Sequence, residues 1–368
     1  MKQTFTFPGF VDVHVHFRDP GFPEAETTSS GLRAAARGGF AAVVTMPNPI
    51  PPCDSPEGIR RQLDRASGAA TVLVPSACIT KGRAGGEVAD LEALAAAGAA
   101  LFTDDGSYVS DDRVMEEAMR RAHALGMVVC QHAMDPAVQA GGVIRDCALA
   151  RGLGLPVVRP EAETVAISRD ISICRTTGCR LHIQHISTAR GVELVRDAQK
   201  EGLPVTAEAT PHHLLLSCDD LADDDANFKM APPLGNREDR SEIRKAVKDG
   251  VLMFATDHAP HPASGKSGGF AKGANGIIGL ETAIPITYAV MVEEEGMSVV
   301  DWAKAWHEMP VALVSKSALE TRGTDLSRTK TVVTVGERRT FDLAGSVSLS
   351  RNCPYGGMSF DCWPEEMK

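Results

Sequence analysis

The chain has 368 residues, 23% of them charged, with 48 acidic against 38 basic side chains, a formal net charge of −10 and a pI near 5.6. That balance excludes a general nucleic-acid binder, which needs a basic face. No charged-then-apolar leader opens the chain and no apolar run approaches membrane-spanning length, so a cytoplasmic protein is expected.

From the N-terminus, residues 10–17 alternate Val11, Val13, Val15 and Phe17 with Asp12, His14, His16 and Arg18, the period-two pattern of a strand. Alternation sends His14 and His16 to one face, where both imidazoles can reach a single ion. Further strands are expected at 41–46, 71–79, 99–103, 127–131, 180–186, 204–209 and 251–256. Helix-like segments lie between them at 26–37, 56–66, 87–97, 112–125, 161–176, 189–200 and 237–248. Several meet a glycine stop, at Gly38, Gly68, Gly98, Gly126, Gly202 and Gly250. The nine cysteines, an odd number without a Cys-x-x-Cys pair, read as reduced and mostly buried thiols.

Strand–helix alternation implies a parallel sheet. Eight such units in this length fit a closed (β/α)8 barrel of the TIM type better than an open doubly wound sheet. The connection at 134–159 is long enough to cover a barrel mouth, and the glycine-rich stretch 264–279 is a candidate lid or substrate loop. Gly265-Lys266-Ser267 within it is not a phosphate loop, because Pro260 stands where that motif requires glycine. The tail, strand-like at 330–335 and 347–349, reads as a small β appendage.

Active sites of barrels sit at the C-terminal ends of the strands. Here those ends carry His14 and His16, Met46-Pro47-Asn48, Asp104-Asp105-Gly106, His132, His185, His212-His213 and Asp257-His258. One buried histidine with one hydrogen bond explains any single member of this set, but not the whole of it. Imidazole and carboxylate are ligands of hydrolytic zinc, whose catalytic sites keep a position open for water. Four histidines with one or two aspartates exceed what one zinc needs, which favours two ions sharing a bridging ligand. Asp257 can both touch a metal and shuttle a proton.

The segments Val-Asp-Val-His-Val-His-Phe-Arg-Asp-Pro-Gly at 11–21, Met-Pro-Asn at 46–48, Thr-Asp-Asp-Gly at 103–106, His-Ile-Ser-Thr at 185–188, Thr-Pro-His-His-Leu at 210–214 and Ala-Thr-Asp-His-Ala-Pro-His at 255–261 resemble the class I dihydroorotases of the amidohydrolase superfamily. The resemblance implies His14 and His16 on a first zinc, His132 and His185 on a second, Asp105 bridging, and Asp257 as ligand and general acid/base. It implies that Arg18, Asn48 and His261 hold a substrate carboxylate, and that backbone at Ala231, Asn275 and Gly276 meets the ring amides. The reaction implied is reversible closure of N-carbamoyl-L-aspartate to L-dihydroorotate in pyrimidine synthesis, by a metal-activated hydroxide.

Related hydantoinases and allantoinases usually bridge their metals with a carboxylated lysine. No lysine lies between Lys81 and Lys200, so Asp105 is the bridge expected here and those amidases are the disfavoured alternative. Family members usually carry some fifty residues before the first barrel strand. A barrel at 8–320 is therefore expected with a reduced β appendage from 1–7 and 321–368. The resemblance also leaves room for a homodimer, or for a silent subunit beside aspartate transcarbamoylase, although silent homologues typically lose ligands that this chain keeps.

Overall fold

The structure is a computed structural model that describes residues 2–314, 326 and 328–367. The expected boundary at 320/321 lies outside the described residues.

Strand β1, Gln3–Pro8, precedes the barrel. The barrel strands are β2 (Phe10–Val15), β3 (Phe40–Thr45), β4 (Val72–Pro75), β5 (Val128–Gln131), β6 (Arg180–Ile183), β7 (Val205–Ala209) and β8 (Met253–Phe254). All pair in parallel, in the orders β2-β3-β4 and β5-β6-β7-β8. The stave expected at 99–103 joins the two groups through single bridges from Phe102 to Ala77 and to Val129. On the other side a parallel bridge from Val15 to His258 closes the ring. The expected eight-stave barrel is thus present, with staves 71–79, 99–103 and 251–256 making shorter ladders than their apolar runs suggested.

Seven helices match the expected segments: α1 (Thr28–Arg37), α2 (Pro56–Arg65), α3 (Leu91–Ala96), α4 (Asp112–Ala124), α5 (Glu161–Thr177), α6 (Ala189–Lys200) and α7 (Arg237–Lys248). Two start late because a side chain stops them. The Thr27 side chain forms a capping box with Ser30 ahead of α1, and Asp90 accepts from the Ala93 amide ahead of α3. Gly38 ends α1 in a right-handed conformation, and it is Gly39 that takes the left-handed φ of 81°. The eighth unit ends in α8 (Val299–Trp306), whose Trp302 and Trp306 both donate to Thr287 Oγ1 at 3.1 Å. Trp306 packs edge-on to Phe40 and tilted against Phe254, and Trp302 edge-on to Phe10, forming an aromatic floor to the barrel.

Strands β9 (Lys330–Thr340) and β10 (Ser359–Pro364) complete an antiparallel sheet in the order β1-β9-β10. Residues 347–349, expected as a strand, form bends instead. Their amides are drawn to buried carboxylates, with Val347 N donating to Glu281 at 3.1 Å and Leu349 N to Glu26 at 3.3 Å. Those bonds tie the tail to the barrel rather than to the sheet. All nine cysteines are free and buried, as expected.

Candidate metal and substrate site

Closing the barrel is what assembles the site. Asp12 lies on the same face of β2 as His14 and accepts from Thr256 N at 3.0 Å and Thr256 Oγ1 at 2.5 Å. His16 N then donates to His258 O at 2.8 Å. These bonds lock the first stave to the last and set His14 and His16 opposite Asp257. Burial pushes the Asp12 carboxyl up to about 7, against the opposing pull of those hydrogen bonds.

The two aspartates that follow the fourth stave have separate roles. Asp104 turns away, accepting from Ile79 N at 2.8 Å and Thr80 N at 3.1 Å, while Asp105 turns inward. Asp105 Oδ1 lies 3.5 Å from His14 Nε2, 3.5 Å from His132 Nδ1 and 3.4 Å from His185 Nε2, and its Oδ2 lies 3.2 Å from His16 Nε2. Asp257 Oδ1 lies 3.0 Å from His16 Nε2 and 3.4 Å from His14 Nε2. His185 and Asp257 adopt positive φ, 34° and 48°, a conformation that costs a non-glycine residue energy and recurs at functional sites.

The donor set fits a metal. His14 Nδ1 donates to Glu208 Oε1 at 2.5 Å and His16 Nδ1 to Asn48 Oδ1 at 3.0 Å, which leaves both Nε2 lone pairs facing the aspartates. His14 Nε2 and Asp105 Oδ1 are buried and have no hydrogen-bond partner. His132 Nδ1 and His185 Nε2 approach to 2.8 Å. Three groups have ligand atoms close enough to share an ion: His14, His16 and Asp105; His14, His185 and Asp257; and Asp105, His132 and His185. Asp105 belongs to two of them, as a bridge would.

The electrostatics also favour a cation. Burial works to discharge His14, but Glu208, Asp105 and Asp257 outweigh it and hold its pKa well above the usual value. Burial would raise Asp105 and Asp257, yet His14 and the neighbouring imidazoles hold both well below the carboxylate range. Glu208 is likewise held near about 2, burial being outweighed by His14 and His182. Burial lowers His16 and His132, keeping them neutral and available as ligands.

A cavity of about 290 Å³ opens above this centre. Every expected site residue lines it except His14, which lies beneath. Arg18 donates through Nε to Pro260 O at 3.1 Å and approaches His261 Nε2 at 3.4 Å with Nη2. Burial first, then Arg18, pushes His261 down to about 3, so it stays neutral. One Asn48 N–H goes to Asp105 O at 3.3 Å, leaving its other N–H for a ligand. The strand-end pair His212-His213 joins none of the ligand groups among the described residues. His213 is engaged by Thr210 and Pro232 O, and burial pushes His212 down to about 3.

Four residues of the site were not anticipated. Glu208, an acid in the apolar run of β7, holds His14 and also accepts from His182 Nε2 at 3.0 Å and His185 N at 3.2 Å. Its signal was the lone carboxylate in a buried strand. Asn352 donates to Ala259 O at 2.9 Å and Gly276 O at 3.0 Å and accepts from His261 N at 3.0 Å. Lys266 ties the 264–279 loop, donating to Ala274 O at 2.7 Å, Gly276 O at 2.8 Å and Lys229 O at 3.4 Å. Arg83, at the cavity wall, gave no sequence signal.

A profile of the family described as Dihydro-orotase-like matches residues 4–191. A protein named dihydroorotase from Anoxybacillus flavithermus is 40% identical over 98% of this chain and 84% of its own length. One of the same name from Listeria innocua is 39% identical over 97% of this chain and 84% of its own. Among solved structures, an L-hydantoinase (dihydropyrimidinase) from Arthrobacter aurescens superposes with a TM-score of 0.86 at 23% identity, covering 98% of this chain and 83% of its own. A D-hydantoinase from Thermus sp. gives 0.78 at 21%, over 98% of this chain and 82% of its own.

Proposed function

The chain belongs to the dihydroorotase family, and from that premise we propose that its barrel mouth interconverts N-carbamoyl-L-aspartate and L-dihydroorotate at a zinc centre. The observation that carries the zinc reading is the orphaned pair His14 Nε2 and Asp105 Oδ1, buried among four imidazoles and two carboxylates. His14, His16 and Asp257 would hold one ion, His132 and His185 a second, with Asp105 between them. When bound, zinc polarises a scissile carbonyl and brings the ionisation of water to near pH ~7.

The remaining chemistry belongs to this chain's side chains. In the hydrolytic direction Asp257 takes the proton of the attacking water and returns it to the ring nitrogen as the C–N bond breaks. In cyclisation the same carboxylate takes a proton from the ureido nitrogen as the C–N bond forms and gives it to the departing oxygen. Arg18 supplies a planar fork for the substrate carboxylate, neutral His261 and the free Asn48 N–H add oriented donors, and backbone at Ala231, Asn275 and Gly276 meets the ring amides. The site sits in a barrel unit at 8–320 with a reduced β appendage from 1–7 and 321–368. No helix among the described residues is long and apolar enough to cross a membrane; we place the chain's work in the cytoplasm, as a homodimer or beside aspartate transcarbamoylase.

The test is turnover of both compounds by the purified protein, with elemental analysis for bound zinc. Activity lost on chelation and restored by zinc supports the reading. An inactive, metal-free protein that still binds a transcarbamoylase would make the chain a scaffold instead.

A further inference from the structure

We infer that Arg83 is a second anion-recognising residue of the cavity, one that favours the doubly charged open-chain compound over the singly charged ring. The inference rests on the reaction proposed above. N-carbamoyl-L-aspartate carries two carboxylates. Ring closure joins its ureido nitrogen to the side-chain carboxyl carbon, takes up one proton and releases water, so dihydroorotate keeps a single negative charge. A pocket that meets both needs one cation for the shared carboxylate, and a further cation beside the proposed metal site gains only when the ring is open and the reacting carboxyl carries charge.

Arg83 has the placement for that second charge. It lines the cavity with Arg18, Asn48 and Gly106. A Cβ added at Gly106 would stand 3.8 Å from Arg83 Nη2 and 3.9 Å from Asn48 Nδ2, so guanidinium and amide flank the same glycine. The hydrogen bonds of Arg83 go to neutral acceptors, Ser107 Oγ at 3.0 Å and Asp104 O at 3.3–3.4 Å. Among the described residues no carboxylate forms an ion pair with it, although its neighbour Lys81 pairs with Glu87. The Asp104 carboxylate is turned away onto the amides of Ile79 and Thr80.

Two features make this placement costly to keep for packing alone. Arg83 has φ +56°, directly after Gly82 at φ +62°, so a long β-substituted side chain occupies a left-handed position that glycine or asparagine would fill more cheaply. Arg83 and Arg18 also face one cavity as like charges. An anion with two carboxylates relieves that repulsion, and one with a single carboxylate relieves it in part.

The test compares Arg83→Met and Arg83→Lys with the wild type in both directions of the reaction. The fixed equilibrium obliges the two kcat/KM values to fall together. The informative quantity is therefore the ratio of KM for carbamoyl aspartate to KM for dihydroorotate. The expected result is a rise of about tenfold in that ratio for Arg83→Met, what one partly screened charge contact is worth, shrinking at high salt. Arg83→Lys keeps the ratio near wild type. A merely structural Arg83 would raise both KM values in step, and that result, or a lysine variant behaving like methionine, overturns the inference. Should the wild type turn over neither compound, the reaction reading fails. Calorimetric binding of succinate against propionate then judges Arg83 alone: selective loss of succinate binding in Arg83→Met upholds the anion role, and equal loss or none refutes it.

Discussion

Glu208→Gln is the sharpest probe of how the metal centre is organised. Glu208 is fully buried in β7 and serves three donors at once: His14 Nδ1 at 2.5 Å, His182 Nε2 at 3.0 Å and the His185 amide at 3.2 Å. Its charge keeps the proton of His14 on Nδ1 and raises the basicity of Nε2 toward the ion. Glutamine preserves volume and one acceptor but loses the charge, and its NH2 must face a ring nitrogen that was a donor. Partners of this kind are worth about 10- to 100-fold in metal affinity, or about 1.4–2.8 kcal/mol. Glu208→Ala should add a stability loss of about 3–5 kcal/mol, because buried His14 and His182 both lose their acceptor. The assay is competition of apo-protein with a chromogenic zinc chelator, alongside urea unfolding of the zinc-free forms. Zinc affinity within twofold of wild type in Glu208→Gln would refute the claim that this carboxylate orients His14 for a metal.

Four further outcomes follow from the same geometry. Asp257→Asn should lower kcat by about 10³-fold while elemental analysis still finds most of the metal; a near-wild-type rate would remove Asp257 from proton transfer. Lys266→Met strips the donor from three backbone carbonyls that shape the 264–279 loop, at about 1 kcal/mol each. KM should therefore rise roughly tenfold with kcat and zinc content little changed, as steady-state kinetics will show. Asp170, buried and lifted by that burial to about 7, sits above its unfolded value, so the folded state binds the extra proton. Its stabilisation is fully present below about pH 4 and lost as pH rises through 7, on the order of 4 kcal/mol. Asp170→Asn should then match wild type in urea at pH 4 and exceed it at pH 8. Zinc reloading of stripped protein should proceed equally with and without bicarbonate, because Asp105 needs no carbon dioxide to become a carboxylate.

The legible part of the fold was whatever its periodicity exposed. Val11 to Arg18 alternate cleanly, so the strand and the shared face of His14 and His16 could be read directly. The stave at 99–103 and the short β8 were visible as apolar runs, but ladder length depends on backbone twist at closure, which side-chain pattern does not encode. Residues 347–349 have strand composition and were misassigned because their amides answer to Glu281 and Glu26, carboxylates distant in sequence. The six expected ligands could be named because histidine and aspartate recur at the strand ends, and the structure brings those side chains together. Asn352 and Lys266 were not, since each acts through backbone carbonyls and neither sits in a ligand pattern.

Architecture alone leaves the substrate open, because the hydantoinases share this fold at 20–23% identity. What separates the alternatives is the chemistry at the mouth. A carboxylated lysine would be a long, flexible bridge assembled from solvent carbon dioxide, whereas the proposed bridge, Asp105, is short and held by its own turn, its amide donating to Thr103 Oγ1 at 3.1 Å. Ring nitrogens of His14, His16, His132 and His185, carried by three strand ends, lie within 3.5 Å of that one carboxylate. The cavity above it is lined by both Arg18 and Arg83. Neutral cyclic amides gain nothing from a guanidinium there, and a ring bearing its own carboxylate gains the Arg18 contact. In the proposed reading, the lysine-free stretch after Lys81 and the arginine two residues past His16 therefore point to the same reaction.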